Sequence, residues 1–112
     1  MRRIVFLSIF LIGCLSLAYS QTPSKPTDQS LLNQAYQKFK IGDFYDAIPD
    51  FESLLRENPE DVDIQFKYSI CLVEAGKNPQ RAIPYLKTSY KSGNVQAAFY
   101  LAKVYYGYMQ LD

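Results

Sequence analysis

No histidine and no tryptophan occur anywhere in the 112 residues, and cysteine appears only twice. The missing histidine removes the Ser-His and Cys-His nucleophile pairs and the common His-bearing zinc sites. Cys14 lies in an apolar leader, which leaves Cys71 to the folded part. One thiol makes no intramolecular disulfide, even in an oxidising compartment. An excess of one charge is also lacking: twelve Lys and Arg stand against eleven Asp and Glu, a net +1. Removing Arg2 and Arg3 with the leader leaves −1, far from the strongly basic face of a nucleic-acid binder. What is present is apolar surface: 48% of the residues are hydrophobic, too many for a disordered chain. The length suits one small domain. With so few catalytic groups, neither enzymatic activity nor a cofactor is expected, and an interaction module is the default.

The first twenty residues read as an export signal. Met1, Arg2 and Arg3 give a positive start, and residues 4–12 form an apolar run broken only by Ser8. Ala18, Tyr19 and Ser20 before Gln21 put small residues at both positions that a signal peptidase reads. That predicts a signal peptide over residues 1–20 and a periplasmic chain. As an alternative, Leu11, Ile12, Gly13 and Cys14 resemble a bacterial lipobox, which would make Cys14 a lipidated N-terminus of an outer-membrane lipoprotein. The residues after Cys14 stay apolar where lipoproteins turn polar, which favours cleavage after Ser20. An uncleaved anchor is a third option, but residues 4–19 supply only 16 positions against the ~20 of a bilayer span. Residues 21–28 hold two prolines and nothing to anchor a core, so they read as a disordered linker.

The remainder repeats. Ala47-Ile48-Pro49 recurs as Ala82-Ile83-Pro84, 35 residues on, with Gly42 and Gly76 before and Phe51 and Leu86 after. Ala35, Ser69 and Ala102 recur at offsets of 34 and 33. A period near 34 made of two helices marks a repeat array. Ala47, Ile48, Phe51, Leu54 and Leu55 form one amphipathic stripe, and Ala82, Ile83, Leu86 and Tyr90 repeat it. Ile64, Tyr68, Cys71, Leu72 and Ala75 make another, with Phe66, Ile70 and Val73 covering a further side. Ala98, Leu101, Ala102 and Tyr105 make the last, and a first helix over about residues 29–41 carries Leu31, Leu32, Ala35, Tyr36 and Phe39. Asp43, Asp61 and Asn78 are the expected N-caps, the last with proline following. Pro49 and Pro84 fall six residues past their caps, too deep to be free of cost, so a kink or a loosened first turn is expected at both.

Gly42, Phe44, Ala47, Ile48, Phe51 and Pro59, echoed by Gly76, Ala82, Ile83 and Leu86 and by Leu101, Ala102, Tyr105 and Tyr106, resemble the tetratricopeptide repeat. The second unit carries one extra residue and lacks the closing proline; the third ends at Asp112, where its second helix should begin. The resemblance implies an all-α fold over residues 29–112. That fold is an α-solenoid of antiparallel helix pairs in a right-handed superhelix, about two and a half units long (28–61, 62–94 and an incomplete 95–112). A fainter likeness is to the N-terminal repeat region of exported bacterial multidomain proteins that carry an OmpA-like domain further on. An array needs about three units and polar ends. Gln34 and Lys38 suit a solvated front end, whereas Phe99, Tyr100, Leu101, Val104, Tyr105 and Tyr106 are left without a following helix. Self-association there, or continuation of the array beyond Asp112, is expected.

The resemblance also implies a concave face lined by first helices. It would display Leu32, Asn33, Tyr36 and Lys40 from the first unit; Asp63, Phe66, Lys67, Ile70 and Glu74 from the second; and Gln96, Phe99, Tyr100 and Lys103 from the third. Aromatic anchors with mixed charges suit a protein or peptide partner in the cell envelope, although such stripes are more often core. Of the positions that form a carboxylate clamp in one variant (Leu32, Tyr36, Lys67, Gln96, Tyr100), only Lys67 could serve, so a chaperone-tail clamp is not expected. Glu57, Glu60, Asp61 and Asp63 lack the spacing and glycine of a calcium loop, and no metal site is expected. Cys71, on an apolar stripe, reads as a buried, unreactive thiol. The reading is therefore an exported adaptor without catalysis. Its alternatives are a spacer or dimerisation segment of a larger envelope protein, or an enzyme whose catalytic domain lies beyond Asp112.

Overall fold

The computed structural model describes residues 28–111, with side chains as far as Gly107. The leader, Cys14 and linker residues 21–27 lie outside the described residues. Among those described, the protein is all helical: α1 (Gln29–Lys40), α2 (Phe44–Glu57), α3 (Val62–Ala75), α4 (Ile83–Lys91) and α5 (Gln96–Leu111), with a 3-10 turn over Pro79–Ala82. No helix among the described residues is long and apolar enough to cross a membrane.

Each helix packs on the next in the chain, and α3 also touches α5. Contacts between α1 and α2 run in opposite senses, with Phe39 against Phe44 and Tyr36 against Phe51, so the two are antiparallel. Phe51 is fully buried beneath Tyr36 and Phe39, and fully buried Ala35 and Ala47 let the backbones approach. The stripe Ala47, Ile48, Phe51, Leu54 and Leu55 is buried as its spacing predicts. So is the wider girdle of α3, where Ile64, Phe66, Tyr68, Ile70, Cys71 and Leu72 are all core. Helix α3 is the central rod.

Helix ends follow local chemistry. Asp61 Oδ1 accepts from the backbone N–H groups of Asp63 and Ile64, capping α3 as expected. Asp28, assigned to the linker, instead caps α1 by accepting from Ser30 and Leu31. A cap residue needs no apolar partner, so composition alone hides it. Asp43 precedes α2 and Asn78 the 3-10 turn, but neither makes a side-chain cap hydrogen bond. Asn78 has a left-handed backbone, φ 47°, unlike the extended conformation from which a cap side chain reaches forward. Helices α1 and α3 close identically, 34 residues apart. Asp43 N–H donates to Lys38 C=O at 2.8 Å and Lys77 N–H to Leu72 C=O at 3.1 Å, across Gly42 (φ 84°) and Gly76 (φ 66°). That six-to-one closure needs the left-handed backbone glycine supplies.

The two deep prolines behave differently. Pro49 lies inside α2, which continues through it because the buried residues around it hold the helix. Pro84 is not deep: residues 79–82 form the 3-10 turn and α4 begins at Ile83. Lacking an N–H, Pro84 leaves the Gln80 carbonyl to Ile83 N–H, one residue short of an α-helical bond. The second unit thus has the loosened first turn expected, and the first does not.

Two stripes depart in part from their spacing. Of Ala82, Ile83, Leu86 and Tyr90, the first and third are fully buried and Ile83 is half-buried against the core, but Ser89 is buried in place of Tyr90, which is 53% exposed. On α5 the buried residues are Ala97 and Val104, flanked by Tyr100 and Leu101. Ala98, Ala102 and Tyr105 face outward. Helix α5 is apolar apart from one narrow stripe that carries Gln96 and Lys103, so spacing alone does not choose its buried face among the remaining sides. The small-residue repeat therefore holds for Ala35 and Ser69, both fully buried, and fails at Ala102.

Replacing Asp61 with Ala is expected to cost about 1 kcal/mol in chemical denaturation, whereas Asp43→Ala, with no cap bond to lose, costs well under half of that.

Candidate functional site

Residues 63, 67, 70 and 74 of α3 fall at i, i+4, i+7 and i+11, one stripe of a helix. From it, α3 reaches both flanking helices. Toward α1, the Tyr36 hydroxyl donates to Asp63 Oδ2, and Lys67 Nζ donates to Asp63 Oδ1 at 2.7 Å. The same ammonium sits 5.0 Å from the Tyr36 ring centroid and 5.9 Å from that of Phe39. Toward α5, Lys103 Nζ donates to Glu74 Oε1 at 2.6 Å and lies 5.5 Å and 5.8 Å from the rings of Phe99 and Tyr100. Phe66 meets Tyr100 edge to face at 6.0 Å. Pairings climb together along both helices in each case, so α1, α3 and α5 run in the same sense.

The result is two similar sets, each a lysine held by a carboxylate and laid over a pair of aromatic rings. Both are partly exposed, so each ion pair contributes at most about 1 kcal/mol, and each cation–ring contact about 0.5–1 kcal/mol. Their value lies in fixing side chains on a common face. Burial alone would raise the Asp63 carboxyl, but the hydrogen bonds from Lys67 and Tyr36 outweigh it and hold the group below its ordinary value. Burial first, then the Asp63 carboxylate, pushes the Tyr36 hydroxyl well above its ordinary range.

The expected concave-face residues divide three ways. Tyr36, Asp63, Lys67, Glu74, Phe99, Tyr100 and Lys103 come together in the two sets. Phe66 and Ile70 belong to the core, and Leu32 is half-buried against it. Asn33, Lys40 and Gln96 are exposed side chains that join neither set. Lys67, the single clamp candidate, is already matched by Asp63. Lys38, read as part of a solvated end, instead pairs with Asp50 of α2 at 2.8 Å. Phe39 was legible only as core, although Lys67 also lies over its ring.

Away from that face, a cleft of about 250 Å³ opens between α2 and α4, lined by Glu52, Leu55, Arg56, Tyr68, Arg81 and Tyr85. There Tyr68 donates to Glu52 at 3.0 Å, and burial followed by that carboxylate pushes its hydroxyl up to about 12. Cys71 is buried, and burial pushes its thiol up to about 12, the reverse of activation. Among the described residues no group of three or more His, Cys, Asp or Glu comes together to hold a metal ion.

Comparison with family models, with curated proteins and with solved structures finds no match for the chain.

Two outcomes follow. Because the folded Asp63 pKa lies below its unfolded value, its contribution is whole above that value and lost as pH falls through the folded one. The urea-midpoint gap between the native chain and Asp63→Asn should thus shrink as pH falls from about 5 to about 2, by the equivalent of less than about 1 kcal/mol. Cys71 should react with Ellman's reagent no faster than the chain opens.

Proposed function

We propose that the chain is an exported, tetratricopeptide-like scaffold without catalysis, which presents the α1–α3–α5 face to a protein or peptide partner in the bacterial cell envelope. The observation that carries this reading is the repetition of the lysine–carboxylate–aromatic set on one side of three helices that run in the same sense. The 34-residue recurrence of the glycine closure supports the repeat assignment. The charged leader followed by an apolar run supports export. A face of fixed rings and matched charges suits an extended segment or helix that inserts apolar side chains between the two sets and exchanges hydrogen bonds with Asn33, Lys40 and Gln96 at the margin. Because the lysines are held in place, little side-chain freedom is lost on binding.

A second reading is a spacer or dimerisation segment of a larger envelope protein. It is favoured by the exposed side chains of Phe99, Tyr105 and Tyr106 on α5.

Capture from envelope extract, with the retained protein identified by mass spectrometry, separates the two. Under the scaffold reading, Tyr36→Ala, Lys67→Glu and Lys103→Glu each cut retention of one common partner by roughly tenfold or more, with helicity preserved. Equal retention by all three and the native chain would leave the spacer reading.

A further inference from the structure

Charge along the chain is divided. Residues 28–75 hold ten carboxylates and four basic side chains, whereas residues 76–112 hold five basic side chains and a single acidic one, Asp112. The fold turns this division into a pattern on one edge. Helices α1, α3 and α5 share one sense, so the start of α1 and the α2–α3 and α4–α5 turns all lie on the same edge. That edge begins with Asp28, passes Glu57, Glu60 and Asp61 around exposed Pro59, and ends with Lys91 and Val95, with Lys87 one helical turn inward. Glu57, Glu60, Lys87 and Lys91 are exposed and make no ion pair among the described residues. Arg56, next to Glu57, is bonded instead to Ser53. On the opposite edge Lys40, Asp43, Asp46 and Lys77 are interspersed, so neither sign prevails there.

We propose that this edge is a self-complementary docking surface whose occupant is a second copy of the same chain. A two-fold axis between the two turns sets the acidic turn (Glu57, Glu60) of each copy against the basic turn (Lys87, Lys91) of the other. Both matches form at once and the assembly closes as a dimer. Val95, 75% exposed, and Pro59 give the contact its apolar centre. Like charges meet if the copies pack the other way round, so the same charges select the antiparallel arrangement. This contact uses the edge and leaves the α1–α3–α5 face open, so it stands or falls apart from the scaffold reading.

Sedimentation equilibrium of the purified chain tests it, with circular dichroism as the check on folding. A reversible dimer is expected at about 20 mM salt, weakening by on the order of tenfold or more at about 500 mM. Glu57→Lys/Glu60→Lys and Lys87→Glu/Lys91→Glu should each be monomeric alone and associate with each other when mixed. A monomer at every salt concentration would overturn the proposal. So would salt-independent association that is lost in Tyr105→Ser/Tyr106→Ser, open-ended polymers at low salt, or failure of the two charge-reversed chains to associate when mixed.

Discussion

The burial of α3 on nearly every side is the constraint from which the rest of the architecture follows. A helix that places Ile64, Phe66, Tyr68, Ile70, Cys71 and Leu72 in the core cannot be satisfied by one partner. It needs α2 on one flank, α4 on another and a helix of the next pair beyond, and the chain supplies these in order. Phe51 plays the matching part between α1 and α2, where three further rings surround it directly or through Phe39. Large-to-small changes at such positions cost several kcal/mol in general, so the stack is cooperative around its centre and weaker toward α5.

Polar chemistry is arranged on what that packing leaves over. The stripe of α3 not consumed by α2 and α4 carries Asp63, Lys67 and Glu74: Asp63 and Glu74 accept from Tyr36 and Lys103 on the flanking helices, and Lys67, bonded to Asp63, lies over the Tyr36 ring of α1. Ion pairs at such exposure add little stability. They do set register: Lys67 and Lys103 are pinned over aromatic rings, which gives the face a defined shape. The buried polar groups are few. Ser69 donates to the Gln65 carbonyl, while Ser89 Oγ and Gln65 Oε1 are buried with no partner among the described residues, each a cost of about 1–3 kcal/mol that the surrounding packing offsets.

Where one side of a helix was clearly apolar, its stripe was legible: α2 and α3 are buried as their spacing implies, and the closures at Gly42 and Gly76 follow the period. Legibility failed where the signal was degenerate. Helix α5 is apolar apart from the stripe of Gln96 and Lys103, so Ala98 and Ala102 were as good a choice as Ala97 and Val104 until α4 decided between them. It failed again where backbone chemistry overrode side-chain identity. Asn78 looked like a cap but took a left-handed conformation, and Pro84 turned the expected first turn of α4 into a 3-10 turn. In the site, the residue types of the two sets were readable, but the sharing of Asp63 between Tyr36 and Lys67 depends on the rotation of α1 against α3, which spacing does not encode. The i, i+4 relation of Asp63 and Lys67 was the one local hint. The separation of charge between residues 28–75 and 76–112 is plain in the sequence, but it acquires meaning only when the turns are seen to share an edge.

Native-state hydrogen exchange measured residue by residue tests the central claim most directly, because it reads how firmly each helix is held. If α3 is the rod that everything else covers, its amides between Phe66 and Leu72 exchange slowest of all and open only with the whole domain, while those of α5 exchange through local opening. Amides of α3 exchanging as fast as those of α5 would contradict the account.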